Sequence, residues 1–187
     1  DLSYDIDEFS VDPIRIPNAD KVELSYNKRE SIIRGSRNKL ADDIHASLIY
    51  SWIPSGVNTI FTEGAAVTAH IASATGNRKS MTKASVEAAQ LLFDSQNIPQ
   101  TGRYMLLDAY MYNQLKNSMT NNEVVAFLAG ADPEKGVIGE YAGFRFYKRG
   151  QVAKTTKAGV LKEWSAAADA TDSAAGIAWQ EDCVSRA

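Results

Sequence analysis

Two histidines, His45 and His70, and one cysteine, Cys183, are the side chains best suited to nucleophilic or metal chemistry in this chain of 187 residues. None has the sequence setting such chemistry needs. His45 opens His45-Ala46-Ser47-Leu48-Ile49, where a helical zinc protease would show His-Glu-x-x-His. It reads as a satisfied or solvent-facing histidine. His70 has Thr68 and Ser73 nearby but no local partner for a triad. Cys183 has no adjacent base and reads as a buried structural thiol. Alone it can neither close an intramolecular disulfide nor build a cysteine zinc cage. Asp42 and Asp43 point in different directions on a helix and read as a solvated face. Asp7-Glu8 is only a weak guess for a metal. Arg78, Lys79 and Lys83 form a basic cluster, read as a solvated loop, with contact to phosphate or an acidic partner as the functional alternative. Gly139-Glu140-Tyr141-Ala142-Gly143 lacks the spacing of a phosphate loop. No catalytic, cofactor-binding or metal residue is assigned.

The bulk composition is that of a globular chain. Hydrophobic residues make up 44% and charged residues 23%. The net charge of -3 gives no global basic field to draw nucleic acid. No apolar run approaches the ~18 residues of a membrane span. The first residues, Asp1-Leu2-Ser3-Tyr4-Asp5, lack the basic and apolar parts of a signal peptide. No Asn-x-Ser/Thr sequon occurs, and a single cysteine fits a reducing compartment. The chain opens without methionine and in mid-pattern, which points to a piece of a longer protein, trimmed by processing or by cloning.

Several elements can be placed from spacing. Residues 1–25 hold seven acids against two bases, with Phe9, Val11, Ile14 and Ile16 interleaved among polar residues. Pro13 and Pro17 exclude a helix, so the segment reads as an acidic extended arm in need of a partner surface. From Asn27 to Trp52, Ile33, Leu40, Ile44, Leu48 and Trp52 recur at helical spacing. Leu40, Ile44 and Leu48 are expected to face inward, with a weak point at Gly35-Ser36. Residues 53–81 read as loop with one or two short strands. Thr82 can cap a helix to about Gln96, buried through Val86, Ala89 and Phe93 and ended by Asn97-Ile98-Pro99.

A buried strand is expected at Arg103–Leu107, and Asp108 can cap a helix reaching Met119 through Met111 and Leu115. Glu123 to Leu128 is a short apolar stretch. Asp132-Pro133-Glu134-Lys135-Gly136 is a turn. Gly139 to Tyr147 alternates as one strand, with Phe144 and Phe146 on one side and a bend at Gly143. Lys157-Ala158-Gly159 is a turn, Ala166 to Ala175 a flexible loop, and Ile177 to Val184 a final strand. The mixture lacks βαβ regularity, so the fold class is α+β.

Taken together, four segments resemble the major capsid protein of tailed bacteriophages, with its lambdoid-type fold. They are the helix 82–99 that ends Asn97-Ile98-Pro99; the strand Gly102-Arg103-Tyr104-Met105-Leu106-Leu107-Asp108, followed by Tyr112 and Leu115; Gly136-Val137-Ile138-Gly139 leading to Gly143-Phe144; and Ala175-Gly176-Ile177-Ala178-Trp179-Gln180-Glu181-Asp182-Cys183-Val184. Helix 27–52 is similar to that family's long spine helix. The resemblance implies one region over 1–187 with interleaved peripheral and axial subdomains and mixed or antiparallel sheets. It also implies that the N-terminal arm and extended loop are largely missing. The implied function is structural, not enzymatic: copies self-assemble as hexamers and pentamers into an icosahedral virion shell, made in the bacterial host cytoplasm. Contact with packaged DNA would be non-specific, with no membrane partner and no cofactor. In this shortened form a monomer or small oligomer is expected. Some relatives crosslink subunits through Lys and Asn, but no motif here licenses that chemistry. Two alternatives stay open. One is another virion protein. The other is a hydrolase or ligand-binding module built from dispersed residues, such as His70 with Asp108 or Glu63, and a polar pocket lined by those groups would mark it.

Overall fold

The computed structural model describes residues 8–13, 28–54 and 58–183. Most of the acidic arm, and Val184 at the end of the expected last strand, lie outside them. The chain divides into two compact units, 1–48 and 49–187.

In the first unit, residues 8–13 form no regular structure, and the remaining described residues belong to helix α1, Lys28–Trp52, which runs on into the second unit. Its 25 residues form one helix, about 37 Å long at 1.5 Å per residue. Gly35-Ser36 does not break it. The expected inward face is not observed. Ile33, Leu48 and Trp52 are 43%, 47% and 40% exposed, and Leu40 and Ile44 are half-buried. The buried residue is Ile49. Leu40, Ile44 and Leu48 fall within an arc of about 80° and share one side by spacing, but Ile49, about 100° on from Leu48, is the residue that packs into the second core. Much of α1 is polar all round, the kind of helix that relies on side-chain pairs. Glu30–Arg34 and Lys39–Asp43 supply two such pairs, each at 3.5 Å, worth about 0.3–0.5 kcal/mol apiece.

The second unit is built on a four-stranded mixed sheet in the order β4-β5-β3-β9. These strands are β3 (Arg103–Asp108), β4 (Gly139–Tyr141), β5 (Phe144–Arg149) and β9 (Ile177–Gln180). β3 pairs parallel with β5 and antiparallel with β9. One sheet face carries Met105, Leu107, Phe144 and Phe146. Helices α2 (Lys83–Ser95), α3 (Ala109–Asn117) and α4 (Asn121–Ala129) cover it through Val86, Ala89, Leu115 and Phe127. On the other face Leu106, Ile177 and Trp179 meet Ile49, Ile53 and Val152 in a second core. A short ribbon, β1 (Ala66–Thr68) with β2 (Asn77–Lys79), and a three-stranded antiparallel sheet in the order β7-β6-β8 complete the unit. The latter comprises β6 (Ala153–Thr155), β7 (Leu161–Lys162) and β8 (Ser173–Ala175). The class is α+β, as expected.

Helix boundaries follow their caps. Asp108 Oδ1 accepts the Met111 N–H at 2.7 Å and starts α3. α2 begins after Thr82, and its first orphan N–H, on Lys83, donates to Ser118 Oγ beyond the end of α3. α2 ends with Asn97 at φ 55°, where Asn97 N–H reaches Asp94 O and Ile98 N–H reaches Phe93 O, both at 3.0 Å. That is a Schellman closure with Asn in the usual glycine position. The stretch Glu123–Leu128 is not merely apolar; it belongs to α4. Thr120 N–H donates to Glu123 Oε2 at 2.7 Å, and Glu123 N–H returns to Thr120 Oγ1 at 3.4 Å, a capping box.

Other expectations are corrected. Gly139–Tyr147 is not one strand but a hairpin. Ala142 and Gly143 both take positive φ, 51° and 78°, the conformation of a type I′ turn. Phe144 and Phe146 do share the buried face. Gly159 also has positive φ, so valine is strained at both glycines, and Gly159 is the more crowded of the two, since a Cβ there would meet Phe61 while one at Gly143 would meet open space. Residues 166–175 are not a loose loop: they hold β8 and the buried Asp172. Cys183 is exposed, not buried. β9 stops at the buried Gln180, whose Oε1 accepts the Asp182 N–H at 2.8 Å and turns the chain into the short 3₁₀ helix Glu181–Cys183.

Arg103 ties these pieces together. It is 2% exposed at the start of the central strand. Its Nη2 donates to Ile98 O at 2.6 Å and its Nε to Pro99 O at 2.8 Å. Nη2 also lies 2.8 Å from Asp94 Oδ1, and the guanidinium sits over the Phe93 ring at 5.4 Å. The fork holds the end of α2 against β3. Lysine cannot reproduce it, and each lost hydrogen bond to the charged guanidinium costs about 1.5–3 kcal/mol. Arg103→Lys should therefore lower stability by more than about 1 kcal/mol in urea denaturation. Arg145→Lys, at a half-exposed pair with Glu140, should stay within about 0.5 kcal/mol. On α1, Ile49→Ala should cost about 2–5 kcal/mol as a core deletion. Leu48→Ala should cost less than about 1 kcal/mol, and equal losses in the same assay would show the buried face misassigned.

Candidate functional site

His70 lies in the turn of the β1–β2 ribbon, and its Nε2 is 2.8 Å from Asp108 Oδ2. The side chains are 17% and 3% exposed. Tyr110 stacks on the imidazole with ring centroids 4.6 Å apart. Of the dispersed residues raised by the sequence, His70 and Asp108 are thus brought together, while Glu63 is exposed. A carboxylate that orients an imidazole is half of a general-base device. The device also needs a cavity that presents substrate. An open cleft of the second unit, about 580 Å³, is lined by Tyr50, Ile53, Phe61, Val160 and their neighbours, and none of these three residues is in its lining. Asp108 is meanwhile used twice, once to cap α3 and once to hold His70. The arrangement tethers the ribbon to the β3–α3 corner.

The Arg78, Lys79, Lys83 cluster does not survive folding as a basic patch. Arg78 points its guanidinium into backbone carbonyls, with Nη2 on Asp172 O at 2.8 Å and on Ala170 O at 3.0 Å, and Nε on Ser173 Oγ at 3.0 Å. Lys83 Nζ donates to Glu123 Oε1 at 2.7 Å. Lys79 alone is fully at the surface. The Arg78 clamp was not foreseen; its sequence signal is only an arginine in a short polar strand. A second unforeseen network centres on Asp172, which is 1% exposed. Its Oδ2 accepts the Asp169 N–H at 2.7 Å and Lys162 Nζ at 2.8 Å. Those bonds, the backbone one foremost, hold its carboxyl below the usual range, and Asp169 and then Asp172 push Lys162 up. Lys154, also buried, donates to Ala166 O. These ionic groups fasten loop 163–172 to the small sheets. Among the described residues, no group of three or more His, Cys, Asp or Glu could hold a metal ion. No helix among them is long and apolar enough to cross a membrane.

The Lys83–Glu123 pair joins the start of α2 to the start of α4. The Lys83 hydrogen bond, followed by the Thr120 bonds, lowers the Glu123 carboxyl to about 2. Because the folded value lies below the unfolded one, this pair stabilises at pH above the ordinary carboxylate range and loses its effect as pH falls toward about 2. Glu123→Gln should therefore lower the urea midpoint at pH 7 and converge on the parent as pH drops from about 4.3 to 2. A gap that stays constant across that range would mean the charge contributes nothing.

Comparison with known proteins completes the picture. The sequence matches no curated protein. Among solved structures, a chain of the capsid structure of the cyanophage P-SCSP1u is similar, with 19% identity and a TM-score of 0.45. The likeness covers 75% of this chain and 46% of that one, so this chain spans less than half the length of that relative. The family model for phage capsid protein matches residues 14–185. That match takes in all the helices and strands among the described residues, and the chain belongs to the phage capsid protein family.

Proposed function

We propose that the chain is the shell-forming region of a major capsid subunit, and that its work is mechanical rather than catalytic. The observation that carries this reading is the family match across residues 14–185. Copies would pack as hexamers and pentamers into a closed icosahedral shell, in which many modest interfaces at symmetry-related positions add up. Peripheral and axial subdomains would interleave along residues 1–187. Assembly would take place in the bacterial host cytoplasm, and the product would reside in the virion. The interior charged networks support this assignment of roles: Arg78, Arg103 and Asp172 are spent on holding segments together. Contact with packaged DNA would be non-specific and confined to an inner face, in keeping with a net charge of -3.

The experiment is electron microscopy of the whole parent protein expressed by itself. Closed shells or capsomer-sized rings are the expected result. A parent that remains a monomer at high concentration, and also after addition of other virion components, would remove the reading. A surviving catalytic alternative would instead need turnover that His70→Ala abolishes without loss of fold.

A further inference from the structure

We propose that the β1–β2 ribbon and loop 163–172 form one strap, which opens as a single cooperative segment while the four-stranded sheet stays folded. Neither stretch belongs to an apolar core: the two cores hold no residue of 66–79 or of 163–172. Asp172 is the one buried residue in the two stretches, and it is a carboxylate. A two-stranded ribbon is marginal by itself in water. This one persists on polar fastenings.

Those fastenings run from one stretch to the other. Arg78, on β2, spans both. Its Nη1 donates to Thr75 O at 3.0 Å and to Asn77 O at 3.1 Å, within the ribbon. Its Nη2 donates to Ala170 O and Asp172 O in the loop, and its Nε to Ser173 Oγ just past it. The Thr75 N–H adds a bond to Ala170 O at 2.9 Å. The loop is closed in turn by Asp172 Oδ2, which accepts the Asp169 N–H and Lys162 Nζ. On its other side the ribbon is held to the β3–α3 corner by His70 on Asp108, with Tyr110 stacked on the imidazole.

The sharing of Arg78 decides how the strap opens. If the loop lifts away, the guanidinium loses its loop carbonyls and the ribbon loses its clamp. If the ribbon lifts away, Ala170 O and Asp172 O lose their donors. Neither stretch can fray while the other stays whole, so the two open together. Segments with few buried apolar contacts open at lower free energy than a packed core. The strap is therefore a built-in place where this unit changes shape without unfolding, and that conclusion does not depend on the shell reading.

The test is native-state hydrogen exchange on the full chain, read by NMR at low urea concentrations. The probes are the Ala69 amide, bonded to Gly76 O across the ribbon, the Thr75 amide at the junction and the Asp169 amide in the loop. Amides of β3 serve as the reference. The expected result is that all three probes merge on one urea dependence, with protection roughly tenfold or more below that of β3. Arg78→Lys, on the ribbon, should speed exchange at Asp169. Asp172→Asn, in the loop, should speed exchange at Ala69. Each effect should be roughly tenfold or more, since bonds to charged groups are lost, while β3 stays unchanged. Arg145→Lys should move none of the probes. Separate urea dependences for ribbon and loop overturn the strap. So does a variant whose effect stays in its own stretch, or one that speeds β3 in step with the probes. If a variant fails to fold, the urea dependences of the parent chain decide alone.

Discussion

A buried guanidinium sets the geometry of the second unit. Arg103 begins the central strand of the four-stranded sheet, and its fork takes hold of the carbonyls of Ile98 and Pro99 just past the end of α2. A buried cation is tolerated only when its donors are met and a counter-charge is near. Asp94 and the face of Phe93 provide the rest. This fixes the height of α2 above the sheet, and with it the overlap of Val86 and Ala89 on Met105, Leu107 and Phe144. The Schellman closure at Asn97 and the cap at Asp108 then follow on either side of one rigid corner. His70 closes that corner from the ribbon side, through the second oxygen of the same Asp108 carboxylate.

Local chemistry made much of this legible. Asp108 was readable as a cap because a short acid before a helical pattern has a donor to satisfy. Asn97-Ile98-Pro99 was readable as a stop because Pro bars the helix and Asn accepts positive φ. Phe144 and Phe146 were readable as one face because a strand alternates with period two. The Gly-x-Ile-Gly segment that carried part of the family resemblance also has a packing reason. A Cβ on Gly139 would lie 2.4 Å from the Phe127 ring, so only glycine lets α4 sit down on β4.

What escaped depends for the most part on partners distant in sequence. The α1 face escaped because Leu40, Ile44 and Leu48 share one side by spacing, while only contact with Val152 and Ile177, distant in sequence, selects Ile49 for burial. The hairpin at Ala142-Gly143 was hidden because Ala does not announce a left-handed conformation. α4 was missed although Thr120-Asn121-Asn122-Glu123 carries the capping pattern; the apolar run after it drew attention away from its start. Arg78, Lys162 and Asp172 looked like surface charges, and their roles appear only once loop 163–172 is placed against them. The pairing of His70 with Asp108 was raised only as part of a catalytic alternative, and the fold uses it as a fastening.

These facts divide the labour between charge and apolar surface in an informative way. An enzyme or ligand-binding module concentrates converging polar groups around a cavity and leaves the rest of its surface unremarkable. In this chain the converging polar groups are turned inward onto backbone carbonyls and helix caps, where they stiffen corners. The surface keeps exposed ion pairs such as Glu30–Arg34 and Glu140–Arg145, alongside exposed apolar side chains such as Phe61, Val125 and Val160. Stiff corners keep such surfaces in register from one copy to the next. A lattice needs that constancy, because an error at one contact is repeated at every symmetry-related one. Weak apolar contacts between rigid subunits can break and re-form until the shell closes, whereas tight ionic contacts would hold early mistakes in place. The clamps at Arg103, Arg78 and Asp172 are suited to the first of these needs, because each ties separate segments of the chain into one rigid corner.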